Sequence, residues 1–269
     1  MASEITVSKY FSTFYSTITW DRAKDFLKKP VNVFIVLGNS CQLISKIETL
    51  SSLQLNTVID FKKMGSSFSG FVDIWELKSA VAALDKFRIN ACAALKSDKA
   101  EATDWFKEIS IPACNFMSSG STVLQYLHGI GAIKNASIDG ILAYGKLAGI
   151  VSKANNVYEN YVELSNGPDL SKVNNDKKEE YKILHQTSQV QGITLNCSLI
   201  GFRLIGLLKI AVRQGLVGKI PVELCRRGIR VIHSQSGNLC LFLFTMLTVS
   251  MVSSHFVKKH MEDLEKEKN

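Results

Sequence analysis

Proline is scarce in this chain, with four in 269 residues. Few prolines and long apolar runs argue against a turn-rich all-β fold and predict helix. Catalytic signatures are missing as well. No G-x-G-x-x-G follows a strand pattern, no G-x-x-x-x-G-K-[ST] occurs, and there is no G-x-S-x-G elbow. The six cysteines, Cys41, Cys92, Cys114, Cys197, Cys225 and Cys240, are scattered without a C-x-x-C. That spacing argues against zinc and redox motifs and reads as reduced, buried small side chains. His128, His185, His233, His255 and His260 lack the H-E-x-x-H pattern. The expectation is a non-enzymatic protein with no catalytic residue, no cofactor and no metal. The start of the chain lacks a basic segment followed by an apolar core, so no secretory signal peptide is expected.

The most informative absence is of charge. Leu239–Val257 contains no Asp, Glu, Lys or Arg, and Arg226, Arg227, Arg230, Lys258 and Lys259 bracket it. A bilayer core takes about 20 apolar helical residues, so this run is long enough to cross. The fold expected is an all-α multi-helix bundle whose C-terminal apolar helix is either transmembrane or fully buried. Leu239, Phe242, Phe244, Leu247 and Val252 are the candidate membrane anchor.

The formal net charge is +8, which suits an anionic membrane surface or a nucleic acid. Between Arg203 and Arg230 the bases are interleaved with Leu, Ile, Val and Gly, without the aromatics that stack single-stranded bases. No helix-turn-helix or zinc module is legible, so nucleic acid is not expected as a partner. Val222–Ile232 reads as a short helix with Arg226, Arg227 and Arg230 on or near one face. These are the candidate lipid-facing bases, each attracted to anionic lipid by about 1 kcal/mol. Lys and Arg flank the apolar run about evenly, so the positive-inside rule assigns no orientation.

Helical spacing predicts a helix over Glu4–Lys29, ended by Pro30. Val31–Ile44 fits a buried helix or a strand, and Lys46–Met64 fits a helix. Met64–Gly70 reads as a turn. Phe71–Leu95 is amphipathic, and Ala100–Glu108 is a short charged helix. Ile109–Ile133 is uncharged, and Ser118–Thr122 interrupt it with what reads as an N-cap. Asn135–Leu164 continues as helix with two small-residue pairs, Ala136 with Gly140 and Gly145 with Gly149. Small residues four apart let helix backbones approach closely, so these are the candidate packing positions.

Ser165–Lys182 is polar and reads as a linker. It divides the chain into an N-terminal helical domain (1–164), the linker (165–182) and a C-terminal part (183–269) holding a basic amphipathic segment, the apolar helix and a charged tail. Gly192–Val217 is apolar except for Arg203, Lys209 and Arg213, which fall within about one third of the helix circumference. That pattern favours a helix lying on a membrane or buried against a partner over a clean span.

In segment order alone, an amphipathic front followed by an apolar C-terminal segment, the chain resembles the peroxins that elongate peroxisomal membranes. The paired apolar segments Gly192–Val217 and Leu239–Val257 resemble the bilobed hydrophobic domain of chlamydial inclusion-membrane proteins. Arg203, Lys209 and Arg213 depart from that second pattern. Both resemblances imply a membrane protein, and neither assigns a residue role. The reading from the residues is a membrane-associated protein of unassigned compartment, acting in tethering, shaping or recruitment. Its expected partners are anionic lipid and an unknown protein. The alternative is a soluble interaction or scaffold bundle with the apolar helix as its core.

Overall fold

A computed structural model describes residues 7–51, 60–94, 106–133, 138–219 and 221–268. Among the described residues all regular structure is helical. The α-helices are α1 (Val7–Thr17), α2 (Trp20–Leu27), α3 (Pro30–Ser51), α4 (Phe61–Ala94), α5 (Ile111–Gly129), α6 (Asp139–Asn166), α7 (Lys178–Arg213), α8 (Glu223–Ser234) and α9 (Ser236–Lys266). A π-helical turn, Phe106–Ser110, leads into α5.

Several local expectations are corrected. The front segment is two helices, because Thr19 adopts extended backbone and its side chain accepts from the Arg22 amide at 3.4 Å. A threonine in that position caps a new helix. Pro30 opens α3 instead of only closing the helix before it. Its missing N–H costs nothing in a first turn. Val31–Ile44 is helix, not strand.

Met64–Gly70 is not a turn but lies inside α4. There Gly65 meets α3 so closely that a Cβ would sit 2.9 Å from Gln42 Cγ and 3.2 Å from the Gly38 carbonyl. Ser118–Thr122 does not interrupt α5 either. The Ser121 and Thr122 hydroxyls donate back to the Ser118 carbonyl at 2.8 and 3.2 Å, satisfying themselves within the helix. The segment Ala100–Glu108 falls largely outside the described residues.

The long helices pack in sequence, α3 on α4, α4 on α5, α5 on α6, α6 on α7 and α7 on α9. A thinner contact between α9 and α3 closes the ring. The α6–α7 pair is antiparallel along its whole length. Gln189 donates to Glu163 at 2.6 Å near one end, and Arg213 pairs with Asp139 at the other. The Ser165–Lys182 segment makes this connection through two single 3-10 turns, Leu170–Lys172 and Asn175–Lys177.

Where α7 begins and α9 ends, the interior is apolar. Val173, Tyr181, Leu184, Val257 and Leu264 cluster there, with Val257 fully buried. Lys182, Lys258 and Glu262 are exposed around them. That is the arrangement water imposes on a bundle.

Candidate functional site

Moving along the ring from that apolar cluster, the polarity turns over. On α6 the exposed stripe is Ile141, Tyr144, Leu147, Val151, Tyr158 and Tyr161, while Gly145, Ala148, Gly149 and Ser152 are buried. On α9, Phe242 is 62% and Val249 60% exposed, whereas Ser250 and Ser253 are 5% and 6% exposed. On α7, Val190 and Leu204 face out while Ser188, Asn196 and Ser198 are buried. On α5, Phe116 and Met117 are exposed beside buried Ser118 and Ser121. Helices in water put the apolar stripe inward. In lipid, contacts between helices are made instead by small and polar side chains.

Two helices, α7 and α9, are long and apolar enough to cross a bilayer. Their charge-free stretches, Ile183–Phe202 and Leu239–Val257, lie side by side, with Leu243 against Gly201. Asn39 of α3, within the uncharged stretch Pro30–Ser45, bonds to Thr248 of α9. Three uncharged stretches therefore share one level of the ring.

The bases of α7 do not all face outward. Arg203 donates from Nη2 to Ser118 Oγ at 2.9 Å, and Arg213 pairs with Asp139. Lys146 lays its stem where a Cβ on Gly206 would stand, 2.8 Å from Cε. Lys209 stays exposed. Of the charged stripe, Arg203 is thus packed on α5, while Arg213 reaches Asp139 of α6 from an exposed position. Of the small-residue positions, Gly145 and Gly149 sit in this seam: a Cβ on Gly145 would overlap Ser121, and one on Gly149 would overlap Arg203 and Ser118. Gly140 has open space around it, and Ala136 lies outside the described residues.

The anchor residues divide. Leu239 and Phe242 are exposed, and Val252 is half-buried. Phe244 packs on Phe202 with ring centroids 4.3 Å apart and planes tilted by 52°, and Leu247 lines a cavity between α3, α4, α7 and α9. On α8 the residues Glu223, Arg226, Arg227, Arg230 and His233 project to one half of the helix at about 100° per residue, and Cys225, Gly228, Val231 and Ile232 to the other. Val231 and Ile232 are exposed, so the apolar half is not covered by the other described residues. Glu223 binds both Arg226, at 2.9 Å, and Arg227, at 3.4 Å. Arg230 is exposed, and Arg226 is half-buried. No group of three or more His, Cys, Asp or Glu side chains among the described residues could hold a metal ion.

No family model, curated protein or solved structure matches the chain.

A polar chain that the sequence reading missed ties α2, α9 and α7 together beside the apolar cluster. Arg22 donates from Nε and Nη2 to Asp263 Oδ2 at 3.1 and 2.9 Å, and from Nη1 to the Thr17 carbonyl at 2.9 Å. Its Nη2 also lies 2.6 Å from His260 Nδ1, and His260 Nε2 lies 2.8 Å from Glu180 Oε1. A guanidinium only donates and a carboxylate only accepts. Nδ1 of His260 is therefore the acceptor, and Nε2 carries the proton given to Glu180. No sequence signal marks this chain, since its members are 80 or more positions apart.

Burial opposes ionisation of Glu180, but the hydrogen bond from His260 and the nearby Lys177 ammonium outweigh it and hold its carboxyl below the ordinary value. A depressed carboxylate contributes stability that is present above the unfolded pKa, about 4.3, and is lost as pH falls through the folded value. Below about pH 4, the melting temperature of the wild type should fall more steeply than that of Glu180→Gln. Parallel curves for the two proteins would remove Glu180 from the acid response.

Proposed function

We propose that the chain is a non-enzymatic, membrane-associated helical protein that tethers, shapes or recruits at a bilayer containing anionic lipid. The observation that carries this reading is the reversal of polarity around the ring. Exposed apolar side chains on α5, α6, α7 and α9, among them Met117, Tyr144, Leu204 and Val249, stand beside buried Ser118, Ser152, Asn196 and Ser250, while Leu142, Ile205 and Val257 stay inside. The exposed apolar half of α8 supports it, because that helix stands at the start of the uncharged stretch of α9, where an interfacial helix would lie.

A soluble scaffold bundle is the second reading. It is favoured by α4, whose exposed side chains include Lys78, Asp85, Lys86 and Arg88. Alkaline carbonate washing of membranes from cells expressing the full chain separates the two. Retention in the pellet, with release after deletion of Leu239–Val257, supports the membrane reading. Complete release of the full chain supports the scaffold.

The electrostatic part is tested on vesicles. Arg226, Arg227 and Arg230 replaced together by Glu should weaken binding to anionic vesicles. The expected loss is at least about 1 kcal/mol per residue near the surface. Binding to neutral vesicles should barely change. Equal loss on both vesicle types would mean that the arginines act through the fold and not through lipid charge.

A further inference from the structure

Where α3 and α9 close the ring, a space is left beside α4 and α7. The cavity there holds about 380 Å³ and is walled by α3, α4, α7 and α9. Its wall includes Phe34 and Ile35 of α3, Leu195 and Leu199 of α7, and Leu247 and Met251 of α9. None of its described lining residues is charged, and the polar side chain among them is Asn39.

Asn39 spends its amide N–H on Thr248 Oγ1, and Thr248 donates its own hydroxyl to the Phe244 carbonyl at 2.8 Å. Thr248 is thereby committed on both sides. The acceptor that this pair leaves over is Asn39 Oδ1, since an amide oxygen has two lone pairs and no proton. A space of this size falls within the usual range for small-molecule sites, about 300–1,000 Å³, where apolar walls supply affinity and a few polar groups set orientation. Water would find too few partners on such walls to be held well.

We infer that this cavity between α3, α4, α7 and α9 is a binding site for one small, neutral, apolar alcohol, its chain against Leu195, Leu199 and Met251 and its hydroxyl donating to Asn39. A carboxylate or a phosphate is disfavoured, because no cation among the described residues lines the space. A pure alkane would leave Asn39 Oδ1 unanswered. The way in is the α3–α9 seam, where the two helices touch over much less of their length than other neighbours in the ring. The site is apolar whether the outside of the ring meets lipid or water, so the inference does not depend on the membrane reading.

The test is photolabelling of the purified full chain with a diazirine-bearing octanol, mapped by mass spectrometry, with and without excess unlabelled octanol. The expected result is saturable crosslinks at Leu199, Leu247 and Met251. Leu199→Trp and Leu247→Trp, made separately on different helices and checked for a cooperative melt, fill the cavity and should lose those crosslinks. Crosslinks confined to the outward residues Leu204, Phe242 and Val249 would overturn the proposal. So would cavity crosslinks that octanol does not compete, or that persist in either folded tryptophan variant. The map on the wild type decides by itself if neither variant folds.

Discussion

Val249→Asp should move the chain out of the carbonate-resistant membrane fraction. Val249 is 60% exposed on α9, one position before Ser250 at 5%. In a water-soluble bundle an exposed valine is a permissive site, and such a change stays within about 0.5 kcal/mol of wild type. In a bilayer the same carboxylate enters hydrocarbon near the middle of the uncharged stretch. Insertion scales charge about 2.5–3.5 kcal/mol for an aspartate there. The two environments thus predict effects that differ several-fold at one residue. Phe242→Asp, nearer the start of the stretch, should act in the same direction but less, because charge near the interface is tolerated better. Val249→Thr is the control for shape and should fractionate as wild type. A Val249→Asp protein that remains in the pellet and melts like wild type would count against lipid contact on this face.

The second large effect is expected at Gly145. An added Cβ there would overlap the Ser121 Cβ as well as its Oγ, and would stand 3.0 Å from the Met117 carbonyl. The Ser121 hydroxyl can rotate, but its Cβ and the Met117 carbonyl cannot turn away, so α5 and α6 must move apart. Overpacking of this kind costs about 1–3 kcal/mol, sometimes more. Alanine recovers some of it, since it favours helix over glycine by about 0.8–1 kcal/mol. Gly145→Leu should therefore be severe and Gly145→Ala moderate.

Gly149→Ala should cost less than Gly145→Ala, because what it meets is chiefly the Arg203 side chain and the Ser118 hydroxyl, both able to turn away. Gly140→Ala has open space and gains helix propensity without a clash. It should be neutral or stabilising by a few tenths of a kcal/mol, up to about 1. Thermal melts of the four proteins should rank in that order. Equal melting of Gly145→Leu and Gly140→Ala would mean that the α5–α6 seam is not close-packed.

The helical class and most helix positions were legible, because apolar spacing near 3.6 residues and the shortage of proline both act locally. Two turn-like signals misled for one physical reason. Met64–Gly70 and Ser118–Thr122 are rich in Gly and Ser, which suits a turn but also suits a helix pressed on a neighbour. Gly65 against Gly38, and Ser118 against Gly149 and Arg203, are the second case. Nothing within either heptad distinguishes the two; the neighbour does.

The Gly145–Gly149 pair was readable as a packing site because both glycines lie on one helical face. The break at Ile18–Thr19 rests on a single capping threonine, a weak signal inside a long aromatic stripe. Periodicity also left open which stripe faces inward. The α6 pattern of Tyr144, Leu147, Val151 and Tyr158 reads the same whether it lines a core or meets the surroundings. Only the burial of Ser152 and Gly149 on the opposite side assigns it to the outside. The Arg22–His260–Glu180 chain joins residues far apart in sequence and has no local trace.

The inward turn of Arg203 also bears on biogenesis. In a bilayer, α7 emerging alone would present Arg203 and Arg213 to hydrocarbon. Their partners, Ser118 and Asp139, belong to α5 and α6 and are translated earlier. The nascent chain thus meets its most costly segment only after the helices that shelter it exist. On the proposed membrane reading, insertion of α7 would be a docking event onto helices already made.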